Sequence, residues 1–241
     1  MGSIKSFILN TARKAGYDIQ KPHSPESGNS MEAGISRLLL KNIKPSTVID
    51  VGAASGNWTT LAMKYWPDAQ YHLIEPLQEQ EPTLQALCAL KPNVHYHLGV
   101  AGSRAGEIGF NVSTDLDGSG VYNENAPGAR QIPVLRIDDI AKNTQGPYVI
   151  KLDTHGYEVP ILEGATNALK QTSALIIEVY GFRISPTCLL FHELSQKVDA
   201  LGFGLVDIIE IMRRKKDHAF WQADAFFIRK EHPVFEYGYY T

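Results

Sequence analysis

Four apolar segments of this chain each carry an acid at or near the end, and the first turns directly into a pair of glycines. Val48-Ile49-Asp50-Val51-Gly52-Ala53-Ala54-Ser55-Gly56-Asn57 runs from β-branched residues through an acid into Gly-x-x-x-Gly and then into helix-forming sequence. Tyr71-His72-Leu73-Ile74 leads into Glu75 and Pro76, Val149-Ile150-Lys151-Leu152 into Asp153, and Ile176-Ile177 into Glu178. Between these segments lie stretches with helical periodicity. Strands alternating with helices of that kind imply βαβ units and a mainly parallel sheet. Ligands of such sheets sit beyond the carboxyl ends of the strands. Asp50, Glu75, Asp153, His155 and Glu178 are all expected at that edge.

The glycine turn narrows the ligand. Gly52 and Gly56 permit backbone conformations closed to other residues and let a ligand lie against the main chain. A dinucleotide site needs Gly-x-Gly-x-x-Gly so that a pyrophosphate can reach a helix N-terminus, and that pair is missing here. S-adenosylmethionine (SAM) has no phosphate but carries an ammonium, which an acid such as Asp50 suits directly or through water. Glu75, ending the next strand, is placed to accept both ribose hydroxyls. The cofactor-binding set expected from this pattern is Asp50, Gly52, Ala53, Gly56, Asn57, Glu75, Pro76, Gly99, Val100 and Asp153.

Composition excludes several classes. The 241 residues suffice for one large α/β domain. A net charge of −3 gives no reason to expect a nucleic-acid partner. No apolar run reaches the length of a membrane span, and no signal peptide is evident. Cys88 and Cys188 fall in apolar, helix-like sequence and read as buried free thiols. That fits a reducing compartment, so a cytoplasmic protein is expected.

Two parts are expected. Residues 1–30 form an appendage: Ile4, Phe7, Ile8 and Ala12 follow helical spacing, and a Pro-, Ser- and Gly-rich linker follows. Residues 31–241 form the main domain. Its expected strands are 47–51, 70–75, 94–100, 148–153, 174–179, 204–209 and 223–229, with two extra strands at 107–112 and 132–137. Helices are expected at 31–42, 57–66, 82–90, 158–169 and 186–201. A polar loop, 113–129, could cover a substrate. The aromatic tail with Tyr237, Tyr239 and Tyr240 could pack on the domain or on a second copy in a homodimer.

On these motifs the sequence resembles the FkbM family of SAM-dependent methyltransferases. The matching residues include Val48 to Ala53, Leu73-Ile74-Glu75-Pro76, and Leu135-Arg136-Ile137-Asp138-Asp139-Ile140. Ile150-Lys151-Leu152-Asp153, Gly156-Tyr157-Glu158, Ile161-Leu162-Glu163-Gly164-Ala165, Glu178, Leu201-Gly202-Phe203 and Gln222 to Phe227 also match. The likeness spans about residues 30–230. It implies a Rossmann-like class I methyltransferase fold, with a seven-stranded, mainly parallel sheet in the order 3-2-1-4-5-7-6 and an antiparallel last strand. It also implies O-methylation of a small-molecule, sugar, glycan or natural-product hydroxyl. Two positions depart from the family: His155 stands where an acid or Gln is usual, and the turn reads Gly-Ala-Ala rather than Gly-Ala-Asn.

An aliphatic hydroxyl is a poor acid, so its methylation needs a base or a metal ion. Histidine titrates near neutrality, which makes His155 the candidate general base. Asp153 could orient it or contact substrate, and Glu178 completes the candidate catalytic set. Asp153 and Glu178 could instead hold magnesium with waters, a less favoured reading because the sequence offers no third oxygen ligand. Glu158, in the first turn of a helix, reads as structural. Two rival functions are an NAD-linked dehydrogenase or epimerase, which lacks its Gly-x-Gly and its Tyr-x-x-x-Lys pair here, and a SAM-binding protein without turnover.

Overall fold

The computed structural model describes residues 28–240, so the helix expected within residues 1–27 lies outside the described residues. The main sheet contains β1 (Thr47–Val51), β2 (Gln70–Glu75), β3 (Val94–Leu98), β7 (Tyr148–Leu152), β8 (Thr172–Tyr180), β9 (Phe203–Arg213) and β10 (Phe220–Arg229). Their order is β3-β2-β1-β7-β8-β10-β9. β10 runs antiparallel to both neighbours, and the other main-sheet pairings are parallel. Taken in chain order, this is the 3-2-1-4-5-7-6 arrangement expected above.

Strand alternation divides the core into two layers. Ile49, Val51, Ile150, Leu152, Ile177 and Val179 point to one face, where α4 (Ile137–Ala141), α5 (Glu158–Glu163), α6 (Thr166–Leu169) and α7 (Phe191–Ala200) pack. Val48, Val149, Ile176 and Phe226 point to the other, against α1 (Met31–Leu40), α2 (Asn57–Ala62) and α3 (Glu81–Leu90). α1 starts at Ser30, whose side chain accepts from the Ala33 amide. It lies so close to the sheet that a Cβ on Gly34 would come within 2.5 Å of the Phe226 ring.

The structure corrects several sequence boundaries. The third strand does not run through 100: it leaves the main sheet at Gly99, and β4 (Val100–Ala101) joins β6 (Arg130–Leu135) and β5 (Gly106–Phe110) in a separate three-stranded sheet. Gly99 sits at the crossing, where a Cβ would lie 2.8 Å from the Pro133 carbonyl oxygen. The helix expected at 158–169 breaks at Gly164, which packs on the Gly102 backbone. The helix expected from 186 begins only at Phe191, so Cys188 lies in a loop. Cys188 is buried and Cys88 half-buried, and both are free thiols. Among the described residues no helix is long and apolar enough to cross a membrane.

Candidate active site

The same alternation that buries apolar residues on both faces puts a row of charges on the α1–α3 face. Asp50 lies between Ile49 and Val51, Lys151 between Ile150 and Leu152, and Glu178 between Ile177 and Val179. Asp224 pairs in register with Glu178, and Asp50 with Lys151. Four neighbouring strands thus contribute one ionisable group each near the carboxyl edge of the parallel strands.

Asp50 is fully buried. The Thr59 hydroxyl donates to its Oδ2 at 2.7 Å, and Lys151 Nζ lies 3.6 Å from Oδ1. Lys151 also donates to Asp153 Oδ2 at 2.9 Å and lies over the Trp58 ring. Burial opposes the charged ammonium, but Asp153 and Asp50 outweigh it and hold Lys151 protonated well above its ordinary range. Burial likewise opposes ionisation of Asp153, but Lys151 prevails and keeps its carboxyl below the usual range. Burial raises Asp50 in spite of Lys151 and Thr59.

Glu178 accepts from the Tyr180 hydroxyl and from the Gln222 side-chain amide. Burial and the nearby Asp153 charge push it up to about 8. Asp224 rises to about 7 for the same two reasons. His155 occupies a left-handed backbone position, φ 54°, followed by Gly156 at φ 94°. Its Nδ1 lies 3.1 Å from the Ser119 carbonyl oxygen. Its Nε2 lies 3.9 Å from Asp153 Oδ1 and 3.8 Å from Glu178 Oε2. These three residues form the candidate catalytic set of the sequence, and the fold brings their side chains together.

Two clefts open at this edge and share Asp153. The first lies over β1 and β2 and is lined by Gly52, Glu75, Pro76, Gly99, Val100 and Asp153 from the expected cofactor-binding set, together with His155. Glu75 forms its polar end. Its Oε2 accepts from the Ala54 amide at 2.8 Å and its Oε1 from the Leu77 amide at 2.9 Å. Each carboxylate oxygen keeps a second lone pair for a ligand hydroxyl. Gly52 has φ 76°, and a Cβ there would strike the Asp153 carbonyl oxygen at 1.9 Å. Val100, Phe110 and Val121 from the small sheet and its loop, with Leu77 just after β2, supply an apolar wall. The polar loop expected to cover a substrate contributes Leu116, Asp117, Ser119 and Gly120 to this cleft. An apolar wall opposite a fixed carboxylate fits a nucleoside.

Asp50, Ala53, Gly56 and Asn57 do not line this first cleft. Asp50 lies beneath the turn, holding Thr59 and Lys151. Ala53 packs in the core, and Gly56 caps α2 at φ 78° against Leu84 and Leu87. Asn57 lines the second cleft, with Trp58, Glu178, Met212, Gln222 and Asp224. Glu158 is structural, as expected: it accepts from the Gly156 amide and the Thr154 hydroxyl. Trp221 stacks on Phe182 and meets Tyr180 edge-on.

Sequence reading gave no role to Lys151, Ser119 or Tyr180. Lys151 did leave a signal: a lone lysine in an otherwise apolar buried strand requires an anionic partner. Ser119 left none, because its contribution is a backbone carbonyl.

A model of the methyltransferase FkbM domain matches residues 50–205. The hexuronic acid methyltransferase AglP of Haloferax volcanii is 25% identical over 155 residues, covering 62% of this chain and 63% of the relative. The chain therefore spans a little over three fifths of that relative's length. The crystal structure of methyltransferase FkbM from Methylobacillus flagellatus KT superposes with a TM-score of 0.51 at 20% identity. That match covers 76% of this chain and 43% of the other.

Proposed function

The chain belongs to the FkbM methyltransferase family, and from that premise we propose that it is a SAM-dependent O-methyltransferase acting on a hydroxyl of a sugar, glycan or other natural product. The observation that carries this reading is the pair of clefts meeting at Asp153. One has the carboxylate and apolar wall suited to a nucleoside cofactor, and the other is a polar cleft suited to an acceptor. Bound SAM supplies a methyl group activated by its sulfonium for in-line displacement.

The chain's own residues then have distinct tasks. Glu75, fixed by two backbone amides, takes the ribose hydroxyls. Gly52 lets the turn pack on the Asp153 backbone at the edge of this cleft. Asp50 contributes from below: it anchors Thr59 and Lys151, and Lys151 in turn orients Asp153. The acceptor hydroxyl comes to the junction lined by Asp153, His155 and Glu178. There the Nε2 of His155 is the nitrogen free to take its proton when no metal ion is bound, because Nδ1 faces a carbonyl oxygen. Gln222 and Asp224 offer hydrogen bonds to further hydroxyls in the second cleft.

The H. volcanii relative makes hexuronic acids and their glycosides the first acceptors to try, followed by neutral sugars. Purified protein incubated with SAM and each acceptor is followed by mass spectrometry, with calorimetry of SAM and NAD alongside. A methyl adduct on a hydroxyl, together with SAM binding, supports the proposal. Binding of NAD but not SAM would restore the dehydrogenase reading.

A further inference from the structure

We propose that Asp153, His155 and Glu178 form a binding site for one divalent first-row transition cation, with Mn²⁺ as its probe. The proposal rests on the reading above only in taking the junction of the two clefts as the place where the acceptor reacts.

One ligand atom from each of the three side chains lies within 4.8 Å of the others. The tautomer of His155 follows from its neighbour. The Ser119 oxygen, 3.1 Å from Nδ1, can only accept, so Nδ1 carries the hydrogen. In the neutral ring Nε2 then presents a lone pair, and it faces two carboxylate oxygens at 3.9 and 3.8 Å. With both carboxyls ionised, three lone-pair atoms converge there. A cation satisfies all three at once. Ligand bonds of about 2.0–2.2 Å place two ligands of one ion roughly 3–4 Å apart, so side-chain rotations of well under about 1 Å close the set.

Each ligand is also held from behind. Lys151 binds the other oxygen of Asp153, the Gln222 amide holds the other oxygen of Glu178, the Tyr180 hydroxyl shares Oε2, and the Ser119 carbonyl orients the imidazole. Metal-ligating histidines and carboxylates characteristically have such partners. The local composition agrees: Lys151 pairs with Asp50 and Asp153, and Glu178 and Asp224 line the same cleft, so acidic groups outnumber the ammonium there. One imidazole with two carboxylates suits Mn²⁺, Fe²⁺ or Zn²⁺ better than a hard cation that takes oxygen ligands alone. The sequence offered two acids and no third oxygen ligand. The fold supplies that ligand as a nitrogen.

Asp153 and His155 line the first cleft and Asp153 and Glu178 the second, so an ion between them stands where an acceptor oxygen could reach it. With the ion in place His155 is a ligand rather than a base. The acceptor hydroxyl is acidified by the cation and loses its proton to solvent.

The full-length protein, stripped with EDTA and dialysed, is titrated with Mn²⁺ while the free ion is followed by EPR. Saturable binding of one ion per chain is expected, with nitrogen coupling from the imidazole in pulsed EPR. His155→Ala and Glu178→Gln should each weaken binding by more than the roughly 10–100-fold that losing a hydrogen-bonded partner of a ligand costs. No saturable Mn²⁺ binding by the unaltered protein, or bound Mn²⁺ without nitrogen coupling, overturns the proposal even if a variant fails to fold. SAM calorimetry on the same metal-free preparation reports the first cleft separately. Intact SAM binding without Mn²⁺ binding refutes the cation site and leaves the methyltransferase reading standing.

Discussion

Asp50 and Lys151 face each other across β1 and β7, with 3.6 Å between Oδ1 and Nζ and almost no exposure of either side chain. Lys151 also serves Asp153, so one ammonium compensates two carboxylates on adjacent strands. Removing one partner of a buried ion pair leaves an uncompensated charge, at a cost of about 3–5 kcal/mol. Lys151→Met should therefore lower stability by about that amount in urea unfolding. A loss below about 1 kcal/mol, the range of exposed pairs, would show that the pair is not buried in solution.

The two backbone amides on Glu75 fix its carboxylate at the end of β2. Glu75→Ala should weaken SAM by about 1–3 kcal/mol, the usual cost of losing charged hydrogen bonds. Calorimetry checks this, and unchanged SAM affinity would remove Glu75 from the cofactor site.

His155 stands where both clefts meet. Its replacement by alanine should reduce kcat by roughly 10²–10⁴-fold, as base or as ligand, while SAM affinity changes little. Restoration of activity by no metal, and insensitivity of the unaltered enzyme to EDTA, would assign the role of base. A variant with normal kcat would exclude both roles.

Burial and Asp153 raise Glu178 to about 8, and Asp224 to about 7. Acids whose pKa rises on folding contribute full stability below the unfolded carboxylate range and lose it as pH climbs through the folded value. The Tm of the EDTA-treated protein should thus fall between about pH 5 and pH 8. Asp153, held low by Lys151, acts with the opposite sign, and only in acid. Glu178→Gln should flatten the fall. A wild-type Tm that is level across this window would contradict the raised values.

Asp138 sits away from both clefts and caps α6. Its carboxylate accepts from the amides of Asn167 and Ala168, from the Asn167 side chain and from the Thr166 hydroxyl. Asp138→Ala should cost about 1–2 kcal/mol of stability. SAM affinity should stay unchanged, and its loss would show that the cap also shapes the cofactor cleft.

The sequence by itself determined the strands, their alternation with helices and the acids at their ends. Those features are local: a β-branched run such as Val48-Ile49 specifies a strand within a few residues, and Gly52 specifies the turn after it. The strand order became legible only through family likeness, since periodicity does not say which strands are neighbours. The tertiary structure decided the rest. Gly99 diverts the third strand into a second sheet because the chain crosses the Pro133 backbone there, a contact far away in sequence. Asp50 looked like a ligand for the cofactor's ammonium, but the register of β1 against β7 sets it opposite Lys151. The state of His155 depends on a carbonyl at position 119, and that of Glu178 on a side chain at position 222. A residue type can be read from its letter, but its protonation and its partners depend on what folding places within about 4 Å of it.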